Sequence, residues 1–302
     1  MRRVDARVEE WQGGGSVLRV PCSTGGAATS HAVWWRVLGV EGAPWLTLIH
    51  GFPTSSFDML EVAAAMAGSR RVLAYDMIGL GMSDRPLGHV YSVVEQADAV
   101  CALWALHGVV ETAVVAHDLG ASVAQELLHR FSRGVLPVRL RCVVLANGGI
   151  FPELHRPLPF QTALADPEHG AEVVAAAMTE ELFAPALRLT FGSGHQPSDE
   201  QLHAMWTVIA RDGGHRNLHL MIRYMSERRE READWVGALL RTSVPLGFVW
   251  GMQDPISGAH IAERIVSTLP DAPRRLLDDV GHWPPIEVPD DVVSVLRELD
   301  GG

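Results

Sequence analysis

The sequence predicts an α/β fold: a mostly parallel, doubly wound sheet with a helical cap inserted after the sixth strand. Three observations carry this. Short, wholly apolar runs alternate with helical segments through the first half of the chain. Those runs end in Gly, Asp or Asn, as strands buried on both faces of a parallel sheet do. The rhythm breaks after residue 150 and resumes near residue 241, which divides the chain into a core (1–150 and 241–302) and a cap (151–240).

The elements follow in order. "SVLRV" and "HAVWWRVLGV" read as an opening hairpin around the Gly-rich "PCSTGGAATS". "WLTLIHG", "RVLAYDM", "TAVVAHD" and "LRCVVLANGG" read as buried strands. "FDMLEVAAAMAG", "VVEQADAVCALWALHG" and "ASVAQELLHRF" read as the helices between them. The cap consists of helical segments separated by Pro and Gly, without a clear strand. Two further strands, "VPLGFVWGMQDP" and "RRLLDDVGHWPP", and a last helix, "PDDVVSVLREL", complete the core.

Composition narrows the function classes. With 302 residues, 47% of them hydrophobic and 20% charged, the chain can bury one large core. A net charge of −11 argues against nucleic acid as a partner. All 25 basic residues are arginine, which removes Schiff-base chemistry and a P-loop lysine together. Cys22, Cys101 and Cys142 are scattered and form no C-x-x-C, so neither a zinc site nor a disulfide framework is expected, and a cytoplasmic location is. The charged N-terminus has no apolar signal-peptide core, and no run is long enough for a membrane span.

The candidate chemistry centres on "AHDLG", residues 116–120. This is the strand-turn-helix setting of a nucleophile elbow, G-x-S-x-G, with Asp118 in the place of serine. Asp is also a favoured helix N-cap, and for Asp118 alone the two readings are even. Three features break the tie. "HGFPTSS" follows the third strand and can aim the backbone N–H of Phe52 where that of Leu119 points, making an anion hole. Asp254 ends a late strand in "WGMQDP", and His282 follows the last strand in "DVGHWPP". Nucleophile, acid and histidine in that chain order, all at strand ends, form a catalytic triad.

These motifs, with "HDLGASVAQELLHR", "LANGGIFPELHRPL", "FGSGHQPSDEQLHAMW" and "DWVGAL", resemble α/β-hydrolases of the aspartate-nucleophile branch. That branch holds epoxide hydrolases and haloalkane dehalogenases. The likeness is closer to the mesoderm-specific transcript protein family and runs from about residue 45 to the C-terminus. An aspartate nucleophile suits substitution at saturated carbon. Serine would form an ether there, whereas a carboxylate forms an ester that water activated by His282 can cleave. Asp254 would orient His282.

The resemblance also bears on the leaving group. Dehalogenases of this kind hold the halide with N–H donors at the positions of Leu119 and Phe52, and neither side chain here can donate. Epoxide hydrolases use a pair of cap tyrosines as proton donors. Of Tyr75, Tyr91 and Tyr224, only Tyr224 falls in the cap, and His155 is the nearest polar substitute for the second. His50, Phe52, Trp206 and Trp283 are expected to line the pocket, and "SERREREAD" to form a solvated helix face. The expectation is therefore an epoxide hydrolase that acts on a small apolar epoxide and water, without metal or organic cofactor. The alternatives are a haloalkane or haloacid dehalogenase, an esterase-like hydrolase in which Asp118 is only a base, and a non-catalytic protein of the same fold.

Overall fold

The computed structural model describes residues 6–21 and 30–301. Eight strands form one sheet: β1 (Ser16–Pro21), β2 (Ser30–Gly39), β3 (Trp45–Ile49), β4 (Arg71–Tyr75), β5 (Glu111–His117), β6 (Arg139–Ala146), β7 (Leu246–Gly251) and β8 (Arg274–Leu277). Their spatial order is β1-β2-β4-β3-β5-β6-β7-β8. β1 pairs antiparallel with β2, and β2 with β4; every later pairing is parallel. The expected opening hairpin is present, although most of its Gly-rich connection, with Cys22, lies outside the described residues.

Period-two alternation explains why the central strands are apolar throughout. Leu46, Leu48, Val72, Ala74, Ala113 and Val115 face one core, closed by the helices Leu60–Met66 and Pro289–Asp300. Ile49, Leu73, Tyr75, Val114 and Ala116 face the other, closed by Val93–Leu106 and Leu119–Ser132. A first helix, Ala6–Gly13, was not expected from its charged sequence; it is held by Val8 and Trp11, both buried, and the Trp11 indole N–H donates to Ser56 Oγ at 3.1 Å.

Between β6 and β7 the described elements are all helical, from the turn Pro152–Leu154 to the helix Glu232–Arg241. Glu232–Arg241 lies along Leu119–Ser132, where the Trp235 indole donates to Glu126 Oε2 at 2.8 Å. Among the described residues, no helix is long and apolar enough to cross a membrane.

Candidate active site

The turn after β5 is tight. Asp118 has φ 49° and ψ −110°, an uncommon conformation for a residue with a Cβ, and its N–H donates to the Asn147 carbonyl at 2.7 Å. The turn requires Gly120, where a Cβ would lie 2.3 Å from the Ile49 carbonyl oxygen. This close approach lifts the Asp118 side chain clear of the strand, toward the loop that follows β3.

Three residues far apart in the chain meet there. The His282 Nδ1–H donates to Asp254 Oδ2 at 2.8 Å, and His282 Nε2 lies 4.0 Å from Asp118 Oδ1. Asp118 Oδ2 accepts from the Phe52 N–H at 2.9 Å. The two carboxylate oxygens are thus inequivalent, one tied to the backbone and the other facing the imidazole. The Leu119 N–H, expected as a second donor, makes no hydrogen bond to the carboxylate; among the described residues only Phe52 supplies one.

The electrostatics follow from burial and charge. Asp254 is held well below the usual carboxylate range: burial opposes this, but His282, Ser257 Oγ (2.6 Å) and the Ile256 N–H (2.8 Å) prevail. His282 is raised to about 9, because the charges of Asp254 and Asp118 outweigh its burial. Asp118 is lowered; its burial works against ionisation, and His282 and Arg228 together overcome it. The resting site is therefore an imidazolium between two carboxylates.

Asp118 and His282 open onto a largely apolar cavity bounded by Phe52, Leu158, Phe160, Leu187, Ile256 and Trp283. Two expected lining residues are placed elsewhere. His50 is fully buried as a clamp, its Nδ1–H donating to the Gly51 carbonyl at 2.8 Å and its Nε2 accepting from the Met77 N–H at 3.0 Å. Trp206 stands behind Phe183, with ring centroids 5.7 Å apart. No side chains around Asp118 form a metal-holding set among the described residues.

The two candidate proton donors differ. The buried Tyr224 ring packs 5.6 Å from Phe52, and its hydroxyl has no protein partner among the described residues. Burial, and then the charge of Asp118, push its ionisation to higher pH, so the hydroxyl keeps its proton. His155 lies against Gly149 and is pushed down to about 3, first by burial and then by Arg228. It is a neutral ring near pH 7, so it is not an imidazolium donor there.

The expectation of a solvated face at "SERREREAD" is corrected for Glu227 and Arg228. Arg228 is 1% exposed. Its Nε donates to Ser122 Oγ at 2.6 Å and its Nη2 to the Asp118 carbonyl at 3.1 Å, 3.7 Å from Asp118 Oδ1. Glu227 accepts from the Val93 N–H at 2.7 Å, at the start of Val93–Leu106. Two further residues were missed. The His117 Nε2–H donates to the His282 carbonyl at 2.7 Å, and Asn147 Nδ2 donates to Asp254 Oδ2 at 2.9 Å. The only sequence signal for either was its place at a strand end beside the motif.

Residues 44–289 match the family model described as alpha/beta hydrolase fold. The chain is 38% identical over 261 residues to the mesoderm-specific transcript homolog protein of Bos taurus, spanning 83% of this chain and 77% of that one. It is 35% identical over 282 residues to LipZ, designated a hydrolase, from Mycobacterium tuberculosis, spanning 93% and 94%. Among solved structures, the epoxide hydrolase CorEH superposes with a TM-score of 0.69 at 18% identity, covering 95% of this chain and 99% of that one. A haloalkane dehalogenase variant from Bradyrhizobium elkanii gives 0.72 at 20%, covering 95% and 97%. At these identities the two structures speak for the fold alone.

Proposed function

The chain belongs to the alpha/beta hydrolase fold family, and on that premise we propose that it opens an apolar epoxide to a vicinal diol through an ester on Asp118. The observation that carries this is the inequivalence of the Asp118 oxygens. Oδ2 is held by the Phe52 N–H, leaving Oδ1 beside His282 as the attacking atom.

The reaction has two halves. Oδ1 attacks an epoxide carbon, the C–O bond breaks toward oxygen, and Tyr224 gives its proton to the forming alkoxide. Such acid assistance is typically worth about 10²–10⁴-fold. The imidazolium of His282 then passes its proton, directly or through water, to the Tyr224 phenolate, and water attacks the ester carbonyl carbon while the neutral imidazole takes its proton. The Phe52 N–H stabilises the tetrahedral oxyanion on Oδ2. Collapse expels the diol oxygen, which takes the proton of the hydroxyl added to the Asp118 carboxyl carbon, so that Asp118 returns as a carboxylate, His282 as an imidazolium and Tyr224 as a phenol.

The raised imidazole fits this order. While Asp118 is ionised, His282 is raised to about 9 and is no base. Esterification removes the Asp118 charge, so the imidazole loses one of its two counterions and becomes basic when water needs activation. A halide would need side-chain N–H donors; Leu119 and Phe52 have none, and the Trp283 indole already donates to Thr190 Oγ1 at 2.7 Å.

The test is turnover of styrene-oxide-like epoxides beside haloalkanes, with peptide mass mapping of His282→Gln after substrate addition. The expected result is diol formation by wild type and added mass on the Asp118 peptide of the variant. Turnover of haloalkanes alone would move the assignment to a dehalogenase. Ester hydrolysis without an adduct would leave Asp118 as a base only.

A further inference from the structure

We propose that His31, His89 and Glu95 form a binding site for one Zn²⁺ ion, separate from the cavity at Asp118. Each offers one ligand atom, and the three atoms lie within 4.8 Å of one another. His31 is the second residue of β2, His89 lies in the loop before Val93–Leu106, and Glu95 stands in the first turn of that helix. None of these elements carries Asp118, Asp254 or His282.

The donor set has an unmet need. His31 is 8% exposed, and its Nε2 is buried without a hydrogen-bond partner. An unpaired buried nitrogen is costly, and a metal ion satisfies its lone pair. The ring lies edge to face with His89, with 4.7 Å between centroids. His89 Nε2 lies 2.8 and 3.0 Å from the two oxygens of Glu95, whose side chain is 2% exposed. Two imidazoles and one carboxylate make a zinc donor set with a fourth position left to water.

The scaffold holds these groups in place without the ion. The Ala32 N–H donates to Asp84 Oδ2 at 2.7 Å, pinning β2 beside His31 to the next loop. The Tyr91 ring packs against His89 at 4.7 Å, and its hydroxyl donates to the Pro86 carbonyl at 2.9 Å. The Ser92 Oγ caps the helix by accepting from the Glu95 N–H at 3.0 Å, fixing the carboxylate's backbone. Zinc–nitrogen bonds of about 2.0–2.1 Å place tetrahedral ligands roughly 3.4 Å apart, so the set must close by up to about 1.4 Å. Side-chain rotation of the two imidazoles can supply this. On binding, His89 turns its Nε2 lone pair to the ion and carries its proton on Nδ1, and Glu95 exchanges its contact with His89 for the metal. The ion then ties the opening hairpin to Val93–Leu106.

The experiment uses the full chain, free of any polyhistidine tag and stripped with chelator, titrated calorimetrically with zinc chloride. Wild type should take up one equivalent, with a raised melting temperature. His31→Gln and Glu95→Gln should each weaken binding by more than about tenfold, a loss seen even on removing outer-shell partners of metal ligands. Co²⁺ substitution of wild type gives a second measurement, independent of any variant's folding. Intense visible absorption of a four-coordinate site supports the proposal; the pale spectrum of octahedral, solvated Co²⁺ overturns it. So does an absence of stoichiometric zinc uptake, or uptake unchanged in both variants. Turnover does not enter, so the outcome is independent of the epoxide assignment.

Discussion

Asp118 keeps its charge in a buried site because cations stand on two sides of it, His282 at 4.0 Å and Arg228 at 3.7 Å from Oδ1. Replacing it with Asn leaves the shape and removes the proposed nucleophile. Asp118→Asn should therefore abolish turnover while circular dichroism stays unchanged; retained activity in a folded protein would refute the covalent mechanism. The same variant tests the charge coupling. His282 stands at about 9 with two carboxylates and should titrate lower with one, as read from its imidazole NMR signals across pH. An unmoved midpoint would show that Asp118 does not set the basicity of the imidazole. Arg228→Met keeps much of the side-chain bulk but removes the charge and the bond to the Asp118 carbonyl. The carboxyl carbon signal of Asp118 should then titrate at higher pH than in wild type. If it does not, Arg228 acts only through packing.

At the scale of elements, the site depends on contacts that join the helical insertion to the helices Val93–Leu106 and Leu119–Ser132 of the core. Glu227, from the insertion, accepts the Val93 N–H at the start of Val93–Leu106. Glu227→Ala leaves that donor buried without its charged acceptor and should cost about 1.5–3 kcal/mol, measured by urea denaturation. A change within about 0.5 kcal/mol would mean that water replaces the carboxylate. The elbow has a sharper constraint. An added Cβ at Gly120 meets backbone carbonyls of Ile49 and His50 at 2.3 and 2.6 Å, which no rotamer relieves. Gly120→Ala should therefore cost at least about 1–3 kcal/mol and displace Asp118 as well, lowering turnover beyond what instability explains.

Over the whole molecule, the buried triad makes folding stability depend on pH. The folded-state midpoint of His282 lies above its ordinary value of 6.5, so its contribution is complete below about 6.5 and is lost as pH rises through about 9. The difference corresponds to roughly 3 kcal/mol, shared with its carboxylate partners. Wild type should lose stability between pH 6.5 and 9, whereas His282→Gln should show a flatter profile; parallel profiles would exclude the imidazole as the cause. The sheet and the three meeting residues were legible in the sequence for one reason. Strands buried on both faces are apolar without interruption, and the turns at their ends are marked by Gly, Asp and Asn, so Asp118, Asp254 and His282 stood out at strand ends in order. The insertion hid its contribution because its helices carry both faces in one stretch. Arg228 and Glu227 sit in a charged run that looks solvated, and only packing against Leu119–Ser132 and Val93–Leu106 buries them. His50 and Trp206 were drawn to the pocket by proximity in sequence, and backbone partners or an intervening Phe183 took them out of it. His31, His89 and Glu95 have no common spacing, so only the fold brings them together. The sequence alone determined which side chains stand at the strand ends, since local turns and burial patterns write them into consecutive residues. The tertiary structure alone decided which charges are buried beside it, because burial of a helix face depends on what another part of the chain lays against it.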